Sequence, residues 1–182
     1  MLQRTLQKQI QKSLKNKKSI LLIGPRQVGK STLLKGLQPD VEFNLARQST
    51  FLEFIKNPDY LEQNLAAVLP KGGLVSIDEI QRVPSLLNTI QYLIDEKKPY
   101  QFIMTGSSAR KLRRGRANLL PGRVHSYDLG PITSRELNYE AKTEFMLSFG
   151  SLPAVITDTD TKEIRKLLRS YSVTYLNEEI KA

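Results

Sequence analysis

The stretch Leu21–Leu34, LLIGPRQVGKSTLL, leaves a chain few folds to choose from. Gly24 to Ser31 match G-x-x-x-x-G-K-[ST] at every position, and Thr32 follows. Each residue type answers a physical demand. The glycines let backbone N–H groups turn inward around a phosphate, Lys30 brings a point charge, and the Ser31 hydroxyl can ligate Mg²⁺. A helix that starts at the loop adds the positive end of its dipole. The motif therefore needs a strand before it and a helix after it, and the flanks supply both. SILLI, residues 19–23, is a continuous apolar run, as expected of a strand covered on both faces. Helical spacing resumes at Gly29 and runs to about Leu37, where Pro39 and Asp40 end it. The candidate phosphate-binding residues are Gly24, Pro25, Arg26, Gln27, Val28, Gly29, Lys30, Ser31 and Thr32.

The same alternation continues along the chain. Residues 41–45, 73–80, 100–107 and 123–129 read as strands. Helical patterns cover 47–56, 59–69, the stretch from Pro84 to about Glu96, a start near Ser134 set by the TSRE capping box, and 161–180. Strands alternating with helices predict an α/β domain with a mainly parallel sheet. Ahead of it, residues 2–17 place Leu2, Leu6, Ile10 and Leu14 on one helical stripe with lysines on the other faces. This basic amphipathic helix is expected to dock its stripe on the sheet or on a partner domain. The organisation read from these patterns is an N-terminal helix over 1–18, a nucleotide-binding core over 19–140, and a helical extension over 141–182.

Composition removes several function classes. The chain has 182 residues, no cysteine and a single histidine, His125. That excludes a disulfide framework, a thiolate metal site and a multi-histidine centre. His125 falls in an alternating strand and reads as structural. No apolar run approaches a membrane span, and the first 20 residues lack the apolar core of a signal peptide, so a cytoplasmic protein without membrane contact is expected. The net charge of +10 is concentrated in two blocks. Residues 1–39 hold nine Lys or Arg and no acid, and residues 97–127 hold eight and no acid. Such blocks attract phosphate, which makes nucleic acid a candidate partner beside a nucleotide.

Three further elements belong beside a phosphate loop. Asp78, at the end of the apolar run LVSI, is the carboxylate expected to position Mg²⁺ together with Ser31. Glu79, next to it, is expected to act as general base on the attacking water. The polar end of the fourth strand, Thr105-Gly106-Ser107-Ser108, offers a hydroxyl for the γ-phosphate or water; Ser107 is the first choice, with Thr105 and Ser108 next. Phosphoryl transfer also gains from a transition-state arginine. Arg123, in PGRV just before a strand, is the candidate, and Arg110, Arg113, Arg114 and Arg116 read as a basic loop. Because no arginine is firmly placed within the chain, one supplied by a neighbouring copy, and hence a homo-oligomer, is a second expectation.

These residues together resemble the AAA-type ATPases of bacteria and archaea that carry an extra C-terminal domain of unknown function. The resemblance rests on GPRQVGKST, FNL after the second strand, LVSIDEIQRVP, FIMTGSSA, PGRV, GSLPAV and SYSVTYLNEEI, and so covers nearly the whole chain. It departs locally at Gly150-Ser151, where the family usually has two glycines. It implies a three-layer P-loop fold with sheet order 5-1-4-3-2 and with ATP and Mg²⁺ at the strand ends. It carries over Lys30, Ser31 or Thr32, Asp78 and Glu79, and it implies a further domain beyond residue 182. The expected activity is Mg-dependent ATP hydrolysis driving a conformational change in an attached or partner domain. The rival reading is a slow nucleotide-gated switch or nucleic-acid-binding module; Glu79 argues against it, since a switch needs no water-activating carboxylate. A small-molecule kinase with an arginine-rich lid is a weaker third.

Overall fold

A computed structural model describes residues 2–107, 112 and 119–175. Five strands form one sheet: β1 (Ser19–Ile23), β2 (Val41–Asn44), β3 (Gly73–Asp78), β4 (Tyr100–Gly106) and β5 (Val124–Asp128). Their order is β2-β3-β4-β1-β5, and every pairing is parallel. This is the sheet order expected, read from the other edge. The apolar run of β1 is explained by cover on both faces of the sheet, Leu21 packing in one cluster and Ile20 and Leu22 in the other.

Alternation along the strands divides the core between two faces. Leu21, Val75, Ile77, Phe102 and Met104 point to one face, where α3 (Gln48–Lys56), α4 (Tyr60–Val68) and α5 (Leu86–Asp95) cover them with Phe54, Leu61, Leu65, Leu87 and Ile90. Ile20, Leu22 and Ile103 point to the other. There the cover is Ile10 of α1 (Thr5–Lys15), Leu33 and Leu34 of α2 (Lys30–Lys35), Val155 of α7 (Pro153–Thr157) and Ile164 of α8 (Thr161–Tyr175). The basic N-terminal helix thus buries its stripe on the sheet. A further short helix, α6 (Thr143–Phe149), packs Phe145 and Phe149 against the same cluster.

Several boundaries differ from expectation for physical reasons. The first helix begins at Thr5, not residue 2, because Arg4 is extended (φ −92°, ψ 129°) and its side chain is drawn elsewhere. Helix α5 begins at Leu86, and Pro84 sits in the turn before it, its carbonyl accepting from Leu87. The TSRE capping box is present, but it opens only a 3-10 turn, Ser134–Leu137. Residues 176–180 of the last helical pattern, and Ser108, Arg110, Arg113, Arg114 and Arg116, lie outside the described residues.

Candidate nucleotide-binding site

The strand order reverses between β1 and β4, and in open parallel sheets ligands bind outside the carboxyl ends of the strands at such a point. The Gly24–Ser31 loop occupies that position. It starts where backbones crowd: a Cβ on Gly24 would lie 2.1 Å from the Leu129 carbonyl oxygen. Gly24 N–H donates to Gly106 O at 3.2 Å, so the loop is tied at its root to the end of β4. Gln27 (φ 62°) and Gly29 (φ 98°) take left-handed backbone, which turns the loop into α2. For Gln27 that conformation costs about 1 kcal/mol.

Ser31 and Asp78 meet at the end of the loop, and Lys30 lies on the loop itself. Lys30 is buried, with Nζ donating to the carbonyls of Gly24 and Pro25 at 2.8 Å each. Ser31 Oγ donates to Asp78 Oδ2 at 2.7 Å, and the Thr105 hydroxyl donates to Oδ1 of the same carboxylate. Asp78 is 8% exposed, so these two hydroxyls do much of the work that water would otherwise do for it. Val28 is fully buried and its side chain belongs to the core.

Glu79 leaves the strand in a left-handed conformation (φ 62°, ψ 44°), its N–H donating to Thr105 Oγ1 at 3.2 Å. Its carboxylate accepts from the Gln81 side chain, whose amide nitrogen also donates to Ser107 Oγ at 3.1 Å. Ser107 therefore meets the acid pair through Gln81, whereas Thr105 touches Asp78 directly. A cavity of about 620 Å³ opens over the loop, lined by Arg26, Gln27, Lys30, Ser31, Glu79 and Arg82 among others. A smaller, mainly apolar cavity of about 220 Å³ adjoins it, lined by Leu2, Val28, Leu33 and Ile132 and sharing Gly29, Thr32 and Pro153.

Arg123 requires correction. It precedes Val124, which pairs with Ser19 at the start of β1, whereas the loop follows Ile23 at the other end. Strand rise puts the two ends about 13 Å apart. There its guanidinium grips Asp95 with both arms, Nε to Oδ1 at 2.7 Å and Nη2 to Oδ2 at 2.8 Å. The hydrogen bond from Arg123 holds the Asp95 carboxyl below its usual range. Within its own chain Arg123 does not reach the phosphate loop. Two other arginines, Arg26 and Arg82, line the cavity. Arg82 Nη1 donates to the carbonyls of Leu45 (2.7 Å) and Ala46 (2.9 Å), and its guanidinium lies 4.7 Å from the Phe51 ring centroid. Arg26 and Arg82 are therefore the arginines of this chain that border the cavity among the described residues.

The residues missed from sequence include Arg4. Its guanidinium is buried and donates to the carbonyls of Val28 (2.6 Å), Gly130 (2.7 Å) and Pro131 (3.2 Å), and to Glu136 Oε1 (3.1 Å). Burial alone would raise the Glu136 carboxyl, but backbone N–H groups of Thr133 and Thr5 and the Arg4 guanidinium outweigh it and bring it down to about 2. Nothing in a basic N-terminal segment singles out one arginine as buried.

A sequence model described as an AAA domain matches residues 16–138. The chain belongs to the AAA domain family. This AAA domain is 29% identical over 163 residues to uncharacterized proteins of Mycobacterium bovis and Mycobacterium tuberculosis, covering 88% of this chain. It spans only 36% of the length of those relatives. A Walker-type ATPase of Pyrococcus abyssi superimposes over 100% of this chain and 76% of its own, with TM-score 0.66 and 17% identity, and so shares the fold. The family and the loop together support ATP binding and hydrolysis at the general level. No helix among the described residues is long and apolar enough to cross a membrane.

Proposed function

We propose that this AAA domain binds ATP with Mg²⁺ over the Gly24–Ser31 loop and hydrolyses it, using the change to drive an attached or partner domain. The observation that carries the reading is the 2.7 Å contact of Ser31 Oγ with Asp78, with Glu79 next in the chain and Lys30 on the loop itself. A P-loop cation needs few protein ligands, because phosphate oxygens and water complete its shell. Ser31 and Asp78 fit it: a hydroxyl and a carboxylate already in contact, with Thr105 orienting the carboxylate from behind. When bound there, Mg²⁺ supplies neutralisation of charge on the β- and γ-phosphates.

The chain's own residues do the rest. Backbone N–H groups of the loop and the Lys30 ammonium hold the phosphates. In this reading the smaller, mainly apolar cavity beside the loop takes the base. Glu79 accepts a proton as water oxygen bonds to the γ-phosphorus and the bond to the β–γ bridging oxygen breaks, releasing ADP and phosphate. Arg26 and Arg82 are the cis candidates for charge stabilisation, and Ser107 orients the water side of the site. The test is Glu79→Gln in the full protein: ATP binding is retained and phosphate release is lost. Equal turnover in variant and parent would sink the assignment.

A second reading concerns a partner. Lys17 and Lys18 precede β1, and Lys97 and Lys98 precede its neighbour β4; all four are exposed at the amino ends of the strands, opposite the loop. A nucleic acid backbone laid across this edge would leave the nucleotide site open. Binding to duplex or single-stranded DNA that weakens steeply with salt supports this, and no binding at low salt removes it.

A further inference from the structure

Gln81 stands two residues after Glu79 in the run LVSIDEIQRVP, where the sequence assigned it no role, yet its side chain holds two of the site's groups at once. Nε2 donates to Glu79 Oε2 and, at 3.1 Å, to Ser107 Oγ, while Oε1 accepts from Ser107 N–H at 3.3 Å. The orientation of the amide follows from these partners. The Ser107 N–H can only donate and takes Oε1, so Nε2 faces the carboxylate. Strand β4 leaves room for this: a Cβ on Gly106 would stand 3.1 Å from Gln81 Oε1.

The bonds form a continuous path. The loop's first residue, Gly24, is bonded to Gly106 O. Ser107 follows, gripped through both its N–H and its hydroxyl by Gln81. Gln81 then grips Glu79. A glutamate side chain left to itself samples several rotamers, whereas a general base must be held within hydrogen-bond reach of the proton it takes. Pinning Oε2 with an amide restricts that sampling and leaves Oε1 to accept from water.

We propose that Gln81 is a positioning residue for hydrolysis, fixing one oxygen of Glu79 and joining it to Ser107 so that the base follows the end of β4 and the root of the phosphate loop. The proposal rests on the hydrolytic reading above. Gln81→Met keeps the side-chain length and removes both polar ends. In the full protein, kcat is expected to fall at least about tenfold, within what a positioned general base contributes, while KM and ATP affinity stay near the parent's. Gln81→Met and Ser107→Ala should be non-additive, the double variant being no slower than the slower single one. Gly106→Ala, which crowds the amide without removing a functional group, should lower kcat in the same direction. Melting curves on each variant separate a folding loss from a loss of rate. Parent-like turnover in Gln81→Met, or losses that multiply in the double variant, would overturn the proposal while leaving Glu79 intact. If the parent turns over no faster than Glu79→Gln, the hydrolytic reading fails first and takes this proposal with it, and the parent's own rate says which has happened.

Discussion

Arg4 donates to the Val28 carbonyl at 2.6 Å, joining the chain ahead of the first helix to the phosphate loop 24 residues further on. The same guanidinium reaches Glu136, so a single buried cation gathers three separate segments. Removing it leaves carbonyls without their donor and a carboxylate without its cation. Arg4→Ala is expected to cost about 3 kcal/mol of unfolding free energy and to weaken ATP binding through a slackened loop. Arg4→Lys should recover only part, since an ammonium cannot span the same acceptors. Urea unfolding midpoints decide it; a cost at or below about 0.5 kcal/mol, the ordinary surface value, would refute the role.

Acid should act on the same cluster. The Glu136 carboxyl ordinarily titrates near 4.5 and is brought to about 2 in the fold. A depressed folded value means the contribution is fully present above 4.5 and is lost as pH falls from there toward about 2. The stability gap between parent and Glu136→Gln is therefore expected to be constant at neutral pH and to close through that window. A gap that does not change down to the acid limit would show that Glu136 is not held ionised.

The hydroxyl–carboxylate contact predicts a divalent-ion phenotype. Ser31→Ala and Asp78→Asn should each weaken Mg²⁺-dependent nucleotide binding by about 10–100-fold. Binding measured in EDTA should change far less, because the loop N–H groups and Lys30 remain. Equal losses with and without Mg²⁺ would place the defect in the loop instead.

Close backbone approach at the loop root predicts a contrast between two glycines. A Cβ on Gly24 meets a backbone oxygen at 2.1 Å, which cannot move aside as a flexible side chain would. Gly24→Ala is expected to destabilise by about 1–3 kcal/mol or more. Gly130→Ala, with nothing within 4 Å of the added carbon, is the control and should melt like the parent.

What the sequence made legible is what is local. The loop, the acid pair and the covered strand each declare themselves within a few residues, because glycine geometry, strand burial and helix initiation are short-range demands. Long-range partners do not. Gln81 and Ser107 are 26 positions apart, and only the adjacency of β3 and β4 brings them together. Arg4 was hidden among other cations. The distance of Arg123 from the loop of its own chain was open to topology: a residue just before a parallel strand lies at its amino end, away from where such sheets bind ligands. The short helices α6 and α7 gave no periodic signal because neither runs much beyond two turns.

The fastening by Arg4 also bears on how this domain is cut for study. The stretch matched by the family model starts at residue 16, after Arg4 and the whole of α1, and stops just past Glu136. A fragment trimmed to that match would contain the phosphate loop, the acid pair and the polar end of β4 and still lose its clasp. Glu136 would be left as a half-buried anion without its cation, and the Val28 carbonyl would be left to water. Weak nucleotide binding by such a fragment would report the excision rather than the domain.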